Sequence, residues 1–363
     1  MMVYVLLGSV ALAFVLSALA TPVTRRLAVR WGMLDVPGRH KSHAGPVPLL
    51  GGCAMFFAIL MPSMMALALA RIWASSGWPR WVPAELAKHI PGAAAKAPQA
   101  LAILAGALVL HVVGLIDDRR ALGPWLKLIP QVLVAVGVVV FAQVRILTAL
   151  GGPVSTVASV LWLVAVTNAF NFMDNMDGLA AGVGAICAAA LLAASASIGQ
   201  VFVSAWLCLL LGAQLGFLPY NFNPARVFMG DAGSMIIGYF LGVTSCLTTY
   251  VPAGATYYLY GMFVPVVLMA VPLYDSASVI LLRVHERRSP MVGDRHHFSH
   301  RLLRRGMKVR AAVGTIYLCT AGTAISASLL PHVKDVTGAV LVFAQVVIIL
   351  MTIALLEWGE SRP

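Results

Sequence analysis

Five of the chain's thirteen acidic residues fall in three short strings, and these carry its clearest chemistry. Asp117 and Asp118 stand side by side in Gly-Leu-Ile-Asp-Asp-Arg-Arg, with Lys127 shortly after. Adjacent carboxylates repel, so at least one wants a cation or a raised pKa. A hard metal such as Mg2+ with a phosphate is one answer, Arg119 or Arg120 another, and a solvated helix cap needs neither. In the second string Asn168, Asn171, Asp174 and Asp177 recur every three residues after an apolar run. On a helix they would sweep half the circumference over roughly 13 Å, neighbouring pairs sharing a face. Leaving them unpaired and buried at a membrane boundary costs a few kcal/mol, which favours a ligand or metal over a plain helix terminus broken at Gly178. The third string places Gly230 and Gly233 around Asp231, with Arg226 before and Ser234 after. Ser234 is predicted as the N-cap of the following helix, and a helix N-terminus beside Asp and Arg suits a metal-bound phosphate. A plain loop-to-helix cap explains Gly and Ser equally.

Two basic strings and one isolated acid complete the set. His297 and His300 lie three apart in Asp294-Arg-His-His-Phe-Ser-His-Arg301 and are neighbours if helical. Zinc would want more ligands, so contact with phosphate oxygens or lipid headgroups fits better. Arg39, Lys41 and His43 lie in a Pro- and Gly-rich loop that would suit an anionic partner, or simply anchor the chain. Asp275 sits within an apolar segment, about eight residues before Arg283, and reads as a functional carboxylate or a hydrogen-bond hub. Five carboxylates, several histidines and a basic rim on one face describe metal-assisted phosphoryl transfer on a substrate that is part lipid, part water-soluble.

The elements that must position these residues follow from composition. Of 363 residues, 60% are hydrophobic and 10% charged, with mean hydropathy +0.90. A soluble domain carries about 25% charged residues, so a polytopic membrane protein is the class that fits. Eleven spans are predicted: 2–20, 49–73, 99–116, 128–148, 155–172, 179–199, 201–218, 235–251, 258–283, 311–330 and 337–357. They form an all-α fold in one integral membrane domain, 1–363. The first reads as a span rather than a cleaved signal, because no basic residue precedes it. The loop from Ser75 to Pro98 has room for an interfacial helix. The five cysteines all lie in apolar stretches without CxxC, as small packing residues. The formal charge of +12 needs no nucleic acid. With residues after span 1 in the cytoplasm, only Arg71, Arg80, Lys88, Lys96, Arg145 and Lys334 of the 25 Lys and Arg lie outside. This bias sets the N-terminus outside and the C-terminus inside, and gathers the chemistry on the cytoplasmic face.

The strings GLIDDRRALGPWLK, NAFNFMDNMDGLAAG, VFMGDAGSMIIGY and SPMVGDRHHFSHRLLRRG, with LDVPGRHKSHAGPVPLLGG, resemble the signature set of the polyprenyl-phosphate N-acetylhexosamine-1-phosphate transferases. The likeness spans roughly residues 30–306, and PLYDSASVILLR resembles the undecaprenyl-phosphate N-acetylglucosamine-1-phosphate transferase branch. The resemblance implies attack by a polyprenyl phosphate on a UDP-sugar at the inner (cytoplasmic) membrane, releasing UMP and starting a lipid-linked envelope glycan. It implies Mg2+, with Mn2+ as the alternative, on Asp231 with Asp174 and Asp177 beside it. Asp117 or Asp118 would orient or deprotonate the lipid phosphate. Lys127, His297, His300, Arg301, Arg39, Lys41 and His43 would meet substrate phosphates, and Asn171 and Phe228 would lie near the nucleotide. A homodimer is allowed. Two departures stand out: Asn175 replaces the Gly of DGxDG, and Ser299 replaces a His of HxHH. The competing class is a transporter of an anionic solute, which would carry its polar residues near mid-bilayer in related halves. The polar residues here hug one face, and no internal repeat is visible. The Asp-rich helix pattern of a CDP-lipid phosphatidyltransferase is absent.

Overall fold

Long apolar runs can satisfy their backbone in lipid only as helices, and the computed structural model builds them so. It describes residues 2–36, 45–250, 259–287, 289 and 297–357. Helix α1 (Met2–Arg30) leads to α2 (Gly51–Ser76), and two short helices, α3 (Ala84–Ala87) and α4 (Ile90–Ala95), occupy the loop after it. Helices α5 (Ala97–Arg119), α6 (Pro124–Phe141), α7 (Gly152–Met173), α8 (Leu179–Ser197) and α9 (Val201–Asn221) follow with short connections. Pro98, Pro124 and Pro153 stand in the first turns of α5, α6 and α7, where a missing N–H costs no hydrogen bond. The chain then builds α10 (Asp231–Leu247), α11 (Val264–Leu268), α12 (Ala270–His285), α13 (Phe298–Arg304), α14 (Val309–Leu329) and α15 (Val336–Glu357). One antiparallel pair, Leu34–Asp35 with Val47–Pro48, is the exception to an all-helical chain among the described residues.

The expected eleven spans are matched in part. Among the described residues, nine helices are long and apolar enough to cross a membrane, or ten if the bent pair Tyr260–Leu268 and Ala270–His285 counts as one. That pair breaks at Met269 with a bend of 64°. Helix α10 is apolar but has only 17 residues, or about 26 Å against a hydrocarbon core of about 30 Å.

Helix α10 is the centre of the bundle. Every residue from Ala232 to Cys246 is buried, and α2, α5, α7, α8 and α9 surround it. Thr244 Oγ1 and Ser245 Oγ donate within the helix to the Phe240 and Gly242 carbonyls at 2.6 and 2.8 Å, while Tyr239 OH donates across to the Ile103 carbonyl of α5 at 2.9 Å. The start of α10 is clamped from two sides. Gly51 N and Gly52 N donate to the carbonyls of Phe228 and Met229 at 2.9 and 3.0 Å, while Phe228 N donates to the Pro48 carbonyl at 2.8 Å. On the other side α5 approaches so closely that a Cβ on Gly114 would lie 2.4 Å from Ala232 N.

A methyl group at Gly114 must therefore displace the first turn of α10. Gly114→Ala is expected to cost about 1–3 kcal/mol, read as a lower melting temperature in detergent. Gly137→Ala on α6 is the control, since nothing lies within 4 Å of its added Cβ. Equal melting temperatures for the two variants would sink this account of the packing.

Candidate functional site

The site grows from the exposed backbone donors at the start of α10. A helix leaves its first N–H groups unsatisfied, and the chain supplies their partner from α5. Asp118 accepts from Asp231 N at 2.7 Å and from Ala232 N at 3.2 Å. The expected N-cap, Ser234, is thus displaced: the carboxylate arriving from α5 starts the helix three residues earlier. Ser234 lies inside the first turns and accepts from Asn171 Nδ2 at 3.0 Å. Gly230, before the helix, has φ +67°, and a Cβ there would strike the Asp118 carboxylate.

Asp231 projects toward α6. Lys127 Nζ lies 2.5 Å from Asp231 Oδ2 and 3.1 Å from Asp117 Oδ2, so one ammonium bridges two of the three carboxylates. Asp117 Oδ1 accepts from Leu122 N at 2.7 Å, which fixes the α5–α6 turn. The two neighbouring aspartates therefore divide the work: Asp118 holds α10, and Asp117 holds Lys127 and its own loop.

The second string is not one continuous helix face. Helix α7 ends at Met173, and Asp174 leaves the helical region with φ −78° and ψ 50°. The turn closes on Gly178 at φ +75°, whose N donates to Asn221 Oδ1 at 3.1 Å and whose carbonyl accepts from Tyr317 OH at 2.5 Å. Asp177 Oδ2 accepts from Asn223 Nδ2 at 2.8 Å and Ala225 N at 3.0 Å, pinning the loop before α10 to this turn. Asp174 differs: its carboxylate has no hydrogen-bond partner among the described residues, and Asp231, Asp118 and Asp177 are near enough for their charges to act on it. Asn168 instead faces Gln131, its Nδ2 donating to Oε1 at 2.5 Å.

The histidine string docks on the same turn. His297 Nδ1 lies 2.9 Å from Asp275 Oδ2, and Phe298 N donates to Asp275 Oδ1 at 2.7 Å, so Asp275 holds both His297 and the start of α13. The Phe172 ring meets His297 edge-on at 6.1 Å, with the Arg283 guanidinium over its face at 5.9 Å. Ser299 Oγ donates to Asn175 Oδ1. Arg301 turns elsewhere: its guanidinium lies 2.6 Å from Ser278 Oγ and 2.7 Å from Glu357 Oε2, making a tie between α12, α13 and α15. His300 lies on α13, and Phe228 enters through its backbone. Arg39, Lys41 and His43 lie outside the described residues. Glu357, Tyr317 and the Asn175–Ser299 contact carried no signal in local spacing, because each acts on a partner far along the chain.

Comparison with known proteins places the chain in a family. The family model described as Glycosyl transferase family 4 matches residues 100–249, from α5 through the end of α10. The chain is 34% identical over 335 residues to a decaprenyl-phosphate N-acetylglucosaminephosphotransferase of Mycolicibacterium smegmatis, covering 84% of this chain and 77% of that protein. It is 33% identical over 378 residues to the protein of that name in Mycobacterium tuberculosis, with 96% and 89% coverage. The chain belongs to glycosyl transferase family 4. An undecaprenyl-phosphate alpha-N-acetylglucosaminyl 1-phosphate transferase of Yersinia pestis is 25% identical over 338 residues, with 88% and 80% coverage.

In this family member the donor set is entirely oxygen, which suits a hard cation. No three His, Cys, Asp or Glu side chains among the described residues stand close enough to close a metal shell alone. Mg2+ rarely asks for that, since it binds through one or two carboxylates and takes the rest of its shell from water and phosphate. Asp174, without a hydrogen-bond partner, and Asp231, held by one ammonium, fit such a site. Asp177 has one oxygen already engaged by two donors.

Withdrawal from water, then the charges of Asp231, Asp118 and Asp177, push the Asp174 carboxyl well above the usual aspartate range. The folded protein thus holds this proton more tightly than the unfolded chain does. The stabilisation is complete below about pH 4 and is lost as pH rises through the higher folded value. Metal-free protein should therefore melt lower at pH 8 than at pH 5, and Asp174→Asn should remove part of that fall. Melting curves in chelator at both pH values check this; a wild-type-to-variant gap that does not widen with pH would count against it.

Proposed function

We propose that the protein transfers an N-acetylhexosamine-1-phosphate from a UDP-sugar to a polyprenyl phosphate at the cytoplasmic face of the inner membrane. An oxygen of the lipid phosphate bonds to the β-phosphorus of the donor, the bond to the bridging oxygen breaks, and UMP leaves with that oxygen. The product is a polyprenyl-diphosphate-sugar. The observation that carries this reading is the meeting of Asp117, Lys127 and Asp231 at the start of one buried helix, with Asp118 and Asp174 beside them. A transporter has no evident use for such a cluster at the helix ends, and the family's curated members are named as transferases.

Each residue has a task in this reaction. Lys127 offers a mobile ammonium that can pass from the carboxylates to phosphate oxygens. Asp117 orients that lysine and, with Asp118, faces the lipid phosphate. Asp231 and Asp174, with the free oxygen of Asp177, would hold Mg2+ or Mn2+, which supplies charge neutralisation at the diphosphate. His297, oriented by Asp275, and His300 contribute the phosphate contacts of the opposite wall. Asn171, fixed on Ser234, and Phe228 border the nucleotide.

The acceptor's apolar chain has a place on the other side. A groove of about 430 Å3 is lined by Trp31, Met33, Leu50, Cys53, Leu115 and Ile116, with Arg119 and Arg120 at its edge. Leu115, Ile116, Arg119 and Arg120 belong to the end of α5 that also carries Asp117 and Asp118, which sets the groove beside the carboxylates in sequence. An apolar trough with two arginines in its lining suits a lipid with an anionic head. Basic residues at the same helix ends, among them Arg30, Arg119, Arg120 and Arg226, support the cytoplasmic assignment. Counting α10 and the bent pair as crossings gives an odd number, which sets the termini on opposite sides, and the basic helix ends support the C-terminal side as the cytoplasmic one.

Purified protein with Mg2+, polyprenyl phosphate and a panel of UDP-sugars should release UMP with at least one N-acetylhexosamine donor. Chelation should stop release, and Asp231→Asn should lower kcat by roughly a thousandfold or more. No release from the whole panel by folded protein would overturn the reaction. Near-normal turnover by Asp231→Asn would overturn the metal assignment alone.

A further inference from the structure

The turn between α7 and α8 and the helix α13 are 124 positions apart at their contact, where Ser299 Oγ donates to Asn175 Oδ1 at 2.5 Å. Asn175 stands between Asp174 and Asp177, and Ser299 between His297 and His300. Both partners are held on their far sides. Asn175 Nδ2 donates to the Phe172 carbonyl at 2.8 Å, which fixes the amide against the end of α7. Ser299 is buried on α13, whose start is fixed by Asp275. The contact thus joins the segment carrying two carboxylates to the segment carrying two imidazoles.

We infer that Asn175 and Ser299 are a matched pair of positioning residues, setting the distance between the acidic turn and the histidine helix for the transfer reaction. The inference rests on the transferase reading above. The turn offers an amide and the helix a small buried hydroxyl, and one hydrogen bond closes the gap between them. The bulk is shared between two positions, and neither can change alone. A histidine at 299 would press its ring into the space of the Asn175 amide. A glycine at 175 would leave the buried Ser299 hydroxyl without this acceptor.

The test is a double-mutant cycle of Asn175→Gly and Ser299→His, with Ser299→Ala and Ser299→Thr, reading UMP release and melting temperature. Either exchange alone is expected to lower kcat about tenfold or more, with donor KM within about twofold, because misplaced groups are felt mainly in the transition state. The double variant should recover to within about threefold of wild type. Ser299→Thr should keep more activity than Ser299→Ala. Losses that simply multiply in the double variant would overturn the pairing, as would a fall confined to KM or equal activity of the Ala and Thr variants. Should a single exchange not fold, recovery of folded, active double variant would support the pair, and its failure to recover would overturn it. A wild type silent with every donor would sink the transferase reading instead. The pair would then be judged by the melting temperatures, where coupled loss and recovery supports it and additive loss overturns it.

Discussion

The structure depends on how it tolerates mutual repulsion among carboxylates. Asp117, Asp118, Asp174 and Asp231 converge where a wholly buried helix begins, and Lys127 is the ammonium bound directly among them. The positive end of the α10 dipole and its free N–H groups make the place tolerable for Asp118. Asp177 is relieved by Asn223 and the Ala225 amide. What remains is Asp174, a carboxyl whose charged form finds little compensation in the described chain. Such a balance is unfavourable for an empty site and favourable for one that receives a cation or a cationic arrangement with its substrate, so binding and stability are opposed at one residue.

The closeness that this arrangement needs is steric as well as electrostatic. Helix α5 can bring Asp118 to the α10 amides only because Gly114, one turn earlier, lets the two backbones touch. The loop before α2 reaches Phe228 and Met229 by backbone hydrogen bonds alone. Small residues thus serve the chemistry indirectly, as they serve helix packing throughout a lipid-embedded bundle.

Much of this was legible in the residues. Apolar runs of about twenty mark α1, α2, α5 to α9, α14 and α15, because a helix in lipid must be apolar along its length. The acidic strings were legible because charge is rare here, and all five aspartates came together with Lys127 or its neighbours. Local rules failed where the partner is remote. Ser234 has the composition of an N-cap, yet the cap is Asp118, a carboxylate 113 residues before the helix's first residue, Asp231. Asp174 and Asp177 continue a three-residue rhythm, yet α7 ends at Met173 and both fall in a turn whose left-handed Gly178 is held by the remote Asn221 and Tyr317. Arg301 looks like another phosphate ligand by its neighbours, but Glu357 at the far end of the chain engages it. The break at Met269 divides an apolar run that reads as a single span.

That break has a mechanical consequence. Asp275 sits on α12, beyond the 64° joint, and carries the start of α13 through two hydrogen bonds. The imidazole segment therefore hangs from the helix beyond the bend, while the carboxylates sit around the start of α10. The two meet through the Ser299–Asn175 contact, so the separation of these segments is set where the bent pair packs against the bundle and not within either string.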